Sequence, residues 1–131
     1  MIEINNKTKT KINLALVKKI VEKFFRVYKI NKNISIAFVG DKVIKNLNNK
    51  YRKINKITDI LSFNGEDDFL GELVIDYAQI KRQAKKFGNS EKQELIFILV
   101  HGLLHLIGHE DKTENGRLKM EKIGNEFINK L

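Results

Sequence analysis

The stretch HGLLHLIGHED, residues 101–111, sets two histidines four apart in an apolar run, followed by a glycine and then His109, Glu110 and Asp111. On a helix, positions four apart are about one turn apart, so the rings of His101 and His105 project from one face and converge. Two satisfied core histidines are the plainer explanation, but two polar rings side by side in an apolar helix need two sets of hydrogen-bond partners. A shared metal ion answers both rings at once. Gly108 is a natural helix stop, after which Asp111, three places on, can swing back towards the imidazoles. The pattern H-x-x-x-H-x-x-G-x-x-D therefore points to a metal centre of His101, His105 and Asp111. His109, one residue past the stop, is the competing third ligand, with the shorter reach.

Working outward, Ser90 and Gln93 form a capping-box pattern, which predicts a metal-binding helix over residues 91–107. Asp76 is expected to cap a preceding helix that ends at Gly88. DILSF and LGELVID read as two strands joined by the turn-rich NGEDD, and so short a connection makes them antiparallel. Further upstream, ISIAFVG and IEIN are strand-like. KINLALVKKIVEKFFRVYKI carries Ile12, Leu16, Ile20 and Phe24 at helical spacing. Asp41 is the expected N-cap of a helix through Val43, Ile44 and Leu47 towards Tyr51. Thr113 to Leu131 reads as an amphipathic helix with Leu118, Ile123 and Phe127 on its apolar face. No repeat or linker divides the chain, so residues 1–131 are expected to form one α+β domain.

Composition narrows the chemistry. With 131 residues, 42% of them hydrophobic, the chain is long enough to bury roughly two-thirds of its unfolded surface. It has no cysteine, which excludes a disulfide framework and a thiolate metal site, so any tightly held ion must use His, Asp or Glu. The N-terminal MIEINNKTKTK lacks the apolar core of a signal peptide, and the apolar run 95–107 is too short to span a bilayer; the expectation is a soluble, cytoplasmic protein with no membrane partner. The net charge of +9 is unevenly spread: residues 1–58 hold 15 Lys and Arg against three acids, a balance of +12, and residues 59–131 hold 10 against 13, a balance of −3. A half so basic attracts phosphate backbones, although a merely solubilising surface has the same composition.

The histidine spacing resembles that of the zincin peptidases. In H-E-x-x-H enzymes the glutamate after the first histidine is the general base, but here that position is Gly102. The ion is kept and the peptidase base is missing. A more specific resemblance covers residues 47–111: HGLLHLIGHED, with LNNKYRKINKITDILSF at 47–63 and LGELVI at 70–75, resembles the YbeY family of metal-dependent endoribonucleases, which act in ribosomal RNA maturation and ribosome quality control. The resemblance implies a zincin-like fold with a mixed four-stranded sheet packed with helices, one zinc ion per chain held by three histidines, and a nearby arginine acting on a single-strand-preferring cleavage. Carried over, the first two ligands are His101 and His105, and the arginine of the family's L-N-x-x-Y-R motif is Arg52.

Three stretches depart from the family pattern. Where it usually reads G-Y-D-H, this chain has Gly108, His109, Glu110 and Asp111, so the third histidine is an aspartate. The proline before Thr58 and Asp59 is Ile57, and the acid of LGD is Glu72. A carboxylate is an accepted zinc ligand and is expected to acidify a bound water less than a third neutral imidazole would. The mechanism expected from the resemblance is attack of zinc-activated water on an RNA phosphodiester, with Arg52 neutralising the phosphoryl oxygens. Glu110 is placed to orient water, and Thr58 and Asp59 to fix the Arg52 loop through side-chain to backbone hydrogen bonds. The expected partners are small-subunit ribosomal RNA and the ribosome or its proteins. Phe24, Phe25, Phe63 and Phe97 are assigned to the core. Two rivals stand beside this reading: another zinc hydrolase, and a non-catalytic ribosome-assembly factor whose structural zinc is closed off by a fourth protein ligand.

Overall fold

The computed structural model describes residues 1–131, which form four strands and five helices: β1 (Ile2–Asn6), α1 (Leu14–Val27), β2 (Asn33–Val39), α2 (Asp41–Arg52), β3 (Ile60–Asn64), β4 (Phe69–Asp76), α3 (Tyr77–Phe87), α4 (Glu91–Leu106) and α5 (Glu114–Asn129). The sheet order is β1-β2-β4-β3. The β1–β2 and β2–β4 pairs are parallel and require helical crossovers; β3 and β4 are antiparallel and need only the short turn between them. The result is a mixed open sheet in an α+β architecture.

Alternation along the central strands sorts the two faces. Ile34, Ile36 and Phe38 of β2 and Leu73 and Ile75 of β4 enter the main core, shared with α1, α3, α4 and α5. Their neighbours Val39 and Val74, with Leu61 of β3, face the other way and are covered by Ile44 of α2. With both sheet faces covered, the inner strands read as continuous apolar runs. The centre of the main core is α4, which buries Leu95, Ile98, Leu99, Val100, Leu103, Leu104 and Leu106.

Helix ends follow the predicted chemistry with some exceptions. The Asp76 carboxylate caps α3 by accepting from the Ala78 and Gln79 amides, and Gly88 ends that helix in the left-handed region. The Ser90–Gln93 capping box is present at α4. Three details differ from the sequence reading. Helix α1 begins at Leu14, capped by Asn13, and buries Val17, Ile20, Val21 and Phe24, while Ile12 is buried ahead of it. Gly40, not Asp41, is the N-cap of α2, because the Asp41 carboxylate is held by Arg82 of α3 through bonds of 2.7 and 3.2 Å. Helix α5 packs through Met120, Gly124 and Phe127, leaving Leu118 49% exposed. No helix is long and apolar enough to cross a membrane.

Candidate metal centre

Almost every side of α4 is in the core. The stripe that is not carries Phe97, His101 and His105, at successive four-residue steps, and it lines a cavity of about 710 Å³. The helix then stops abruptly. The Gly108 amide donates to the His105 carbonyl and the His109 amide to the Leu104 carbonyl, each at 3.0 Å, which is the paired closure of a Schellman motif. Gly108 meets its requirement with φ of +102°, a region that costs a side-chain-bearing residue dearly. Five residues after Gly108, Thr113 caps α5 by accepting from the Gly116 amide. The loop between these two anchors returns Asp111 to the histidines.

Three donors meet there. His101 Nε2 and His105 Nε2 are 3.2 Å apart, and Asp111 Oδ2 lies 3.3 Å from the first and 3.6 Å from the second. Tetrahedral coordination at bond lengths of about 2.0–2.1 Å separates its ligand atoms by about 3.3 Å, so this triangle has the dimensions of one face of a zinc tetrahedron. Burial holds the His101 pKa below that of an ordinary histidine, assisted by His105 and opposed by Asp111. A neutral imidazole keeps the lone pair that a metal requires. The donor set of two nitrogens and one carboxylate therefore fits a divalent ion of the zinc kind. His109 lines the same cavity but lies outside the group of three.

Gly102 explains the missing peptidase base. Helix α4 presses on the sheet at this point, and a Cβ at residue 102 would lie 2.5 Å from Ile60 Cδ1 and 3.1 Å from Leu73 Cδ2. A glutamate there would run into the core, away from the metal centre.

Across the cavity, Arg52 ends α2 and lines the same space as the histidines. No carboxylate pairs with it, since the four ion pairs of the chain involve other residues. Its loop is held by buried Asn48, whose amide donates to the Lys56 carbonyl at 2.9 Å. The sequence leads one to expect that task of Thr58 and Asp59. Asp59 instead accepts from its neighbour's amide, Ile60 N at 2.7 Å, and from Gln83 Nε2 at 3.2 Å. Gln83 is itself tied to the buried Glu94 carboxylate, which also receives Asn89. Asp59 is thus fixed on the cavity wall by α3 and α4. Glu110 lines the cavity as an exposed loop residue.

Phe97 departs from its core assignment. It is 40% exposed, with its ring 6.3 Å from that of His101 and tilted from it by 23°. Its helical spacing from His101 was legible in the sequence; the core face of α4 was not, because nearly every position of the helix is apolar. Asn48, Gln83 and Glu94 carried no motif that would have marked them.

Comparison with known proteins finds one family over nearly the whole chain. A family model described as Endoribonuclease YbeY matches residues 2–131. A protein of Acholeplasma laidlawii named Endoribonuclease YbeY is 34% identical over 131 residues, covering 98% of this chain and 96% of its own. One of the same name from Mycoplasmopsis synoviae is 39% identical over 124 residues, covering 86% and 79%. The solution structure of TM1509 from Thermotoga maritima superposes with a TM-score of 0.67 at 27% identity, covering 99% of this chain and 91% of the other.

Proposed function

The chain belongs to the endoribonuclease YbeY family, nucleases and hence hydrolases, and from that premise we propose that it cleaves single-stranded ribosomal RNA during maturation of the small subunit, in the cytoplasm, with one zinc ion held by His101, His105 and Asp111. The observation that carries this reading is the triangle of donors opening into a cavity that also holds an unpaired arginine. Zinc bound there supplies a Lewis acid and lowers the pKa of an attacking water. The rest of the chemistry belongs to the protein. The two imidazoles, fixed one turn apart on a buried helix, would hold the ion at the cavity wall. Arg52 approaches the phosphate from α2 and offsets charge building on its non-bridging oxygens. Asp59, fixed by Gln83, and Glu110 in the loop provide acceptors for the water's protons on the cavity wall. Phe97 gives an unpaired base a face to lie on, which a paired duplex could not use.

The assembly-factor reading needs a fourth protein ligand to close the site. The group that could hold an ion has three members and they line an open cavity, which favours the catalytic reading. The peptidase rival has no space for its base beside Ile60 and Leu73.

The deciding experiment is cleavage of small-subunit ribosomal RNA by metal-stripped and zinc-restored protein, with His101→Ala and Arg52→Glu in parallel. Activity should return with zinc, be absent from His101→Ala, and be lost from Arg52→Glu at unchanged zinc content. In the same series Asp111→Ala should weaken zinc binding by more than about 100-fold and His109→Ala far less. Cleavage by His101→Ala equal to that of the parent would overturn the proposal.

A further inference from the structure

The metal cavity does not end at the loop that carries Asp111. A second cavity, of about 690 Å³, shares Asn64 and Gly108 with the first and continues past the end of α4 towards the turn between α1 and β2. Its lining contains two lysines, Lys29 and Lys32, and no acidic residue. Neither lysine is paired with a carboxylate. The first cavity, by contrast, includes Asp59, Glu110 and Asp111. On the second cavity's wall Phe69 is 40% exposed, the same fraction as Phe97 in the first, and Leu70 and Ile107 add apolar surface beside it.

From these features, and resting on the ribonuclease reading above, we infer that the second cavity is a binding subsite for the single-stranded RNA that flanks the cleaved phosphate. Every base has a face that can stack on an aromatic ring, and every link has a phosphate that attracts a cation. A surface that combines exposed aromatics with unpaired lysines meets both needs without reading sequence. The strand would lie with one base at Phe97, cross at Asn64 and Gly108, and present further nucleotides to Phe69, Lys29 and Lys32. What separates this subsite from the metal cavity is that no acid lines it: the carboxylates of Glu66, Asp67 and Asp68 lie in the exposed turn between Gly65 and Phe69 and not in the lining, so a strand seated between Phe69 and the two lysines gains affinity there and leaves the chemistry to the neighbouring cavity. Only one end of the substrate can occupy it, so the strand binds with a fixed polarity.

The test uses the zinc-loaded full-length protein and three RNAs: a short oligonucleotide cut once, and the same oligonucleotide extended at its 5′ or its 3′ end. Both KM for cleavage and equilibrium binding of a non-cleavable analogue are measured. Extension at one end should tighten binding about tenfold or more, and extension at the other should not. In Lys29→Glu/Lys32→Glu that advantage should vanish, and in Phe69→Ala it should shrink severalfold. Both changes are at exposed positions, and a melting curve confirms folding. A 2-aminopurine in the extension should be quenched by the parent and not by Phe69→Ala. Equal gain from both ends, or an advantage that survives the charge reversal, overturns the subsite. Binding with these properties but no cleavage by any preparation removes the ribonuclease reading and leaves the subsite standing; cleavage with no effect of extension does the reverse; neither binding nor cleavage removes both.

Discussion

Asp76 is fully buried at the start of α3, where one carboxylate oxygen caps the helix and the other has no hydrogen-bond partner. Burial pushes its pKa up to about 7, with Asp41 adding to the rise, while the Arg82 hydrogen bond holds Asp41 below the ordinary range. A proton on the orphaned oxygen, directed towards Asp41, satisfies it. The folded chain therefore keeps this proton to about pH 7, whereas an unfolded aspartate releases it near pH 4. The associated stability is complete below about pH 4 and is lost as pH rises through 7. Asp76→Asn keeps the capping oxygen and removes the titration. It should match the parent near pH 4 and exceed it by a margin that grows by about 1.4 kcal/mol per pH unit until about pH 7, as read from urea unfolding; equal slopes against pH in the two proteins would refute the assignment. At this scale the site was legible where chemistry dictates spacing, as with His101, His105 and the residue three past a glycine. Phe97 was not, since nothing in an all-apolar helix says which aromatic is turned outward.

Among the elements, α4 binds the fold to the function. It lies close against β3 and β4, and at Gly102 the side chains of Ile60 and Leu73 fill the space a Cβ would take. Gly102→Ala should cost about 1–3 kcal/mol, because the added methyl meets Ile60 Cδ1 before it meets open space. Thermal or denaturant unfolding at neutral pH reads this, and a variant as stable as the parent would mean that Ile60 turns aside freely. Caps and stops were the most legible features, for Asp76, Ser90, Gln93, Gly88 and Gly108 act through local backbone geometry. The buried face of α5 was legible only in part: Phe127 and Ile123 pack on the core and Leu118 does not. The central residue of that face is Gly124, which brings the helix up to Val100 and Leu104 yet adds nothing to a hydrophobic pattern. Asp41 failed as a cap because Arg82, 41 residues away in sequence, claims its carboxylate.

The whole molecule joins a basic half, with β1 and β2, to an acidic half, with β4 and β3, along one sheet, and the cavity lies at the β3 side, lined almost wholly by the acidic half. Arg52 comes from the first half and the metal donors from the second. The basic excess should give RNA binding a steep dependence on salt. If about four phosphates are contacted, affinity falls roughly fifty-fold between about 50 and about 200 mM salt. A flat dependence, measured by fluorescence anisotropy on a single-stranded RNA, would show that the excess charge plays no part in recognition. Strand types and the β3–β4 pairing could be read from the sequence, and the mixed four-stranded sheet from the family likeness. The order β1-β2-β4-β3 could not, because placing β4 between β2 and β3 depends on which buried faces match in space.

The loop that bears Asp111 is anchored at both ends, by the double closure at Gly108 and by the Thr113 cap. Its ordering entropy is therefore paid during folding, before any ion arrives, and binding is preorganised. Loosening one anchor without touching a donor should expose that advantage. Gly108→Ala cannot hold φ of +102° comfortably, so its zinc affinity should fall by about tenfold, with calorimetry placing the loss in entropy and not in enthalpy. An affinity equal to the parent's would mean that Asp111 finds its place without help from the turn.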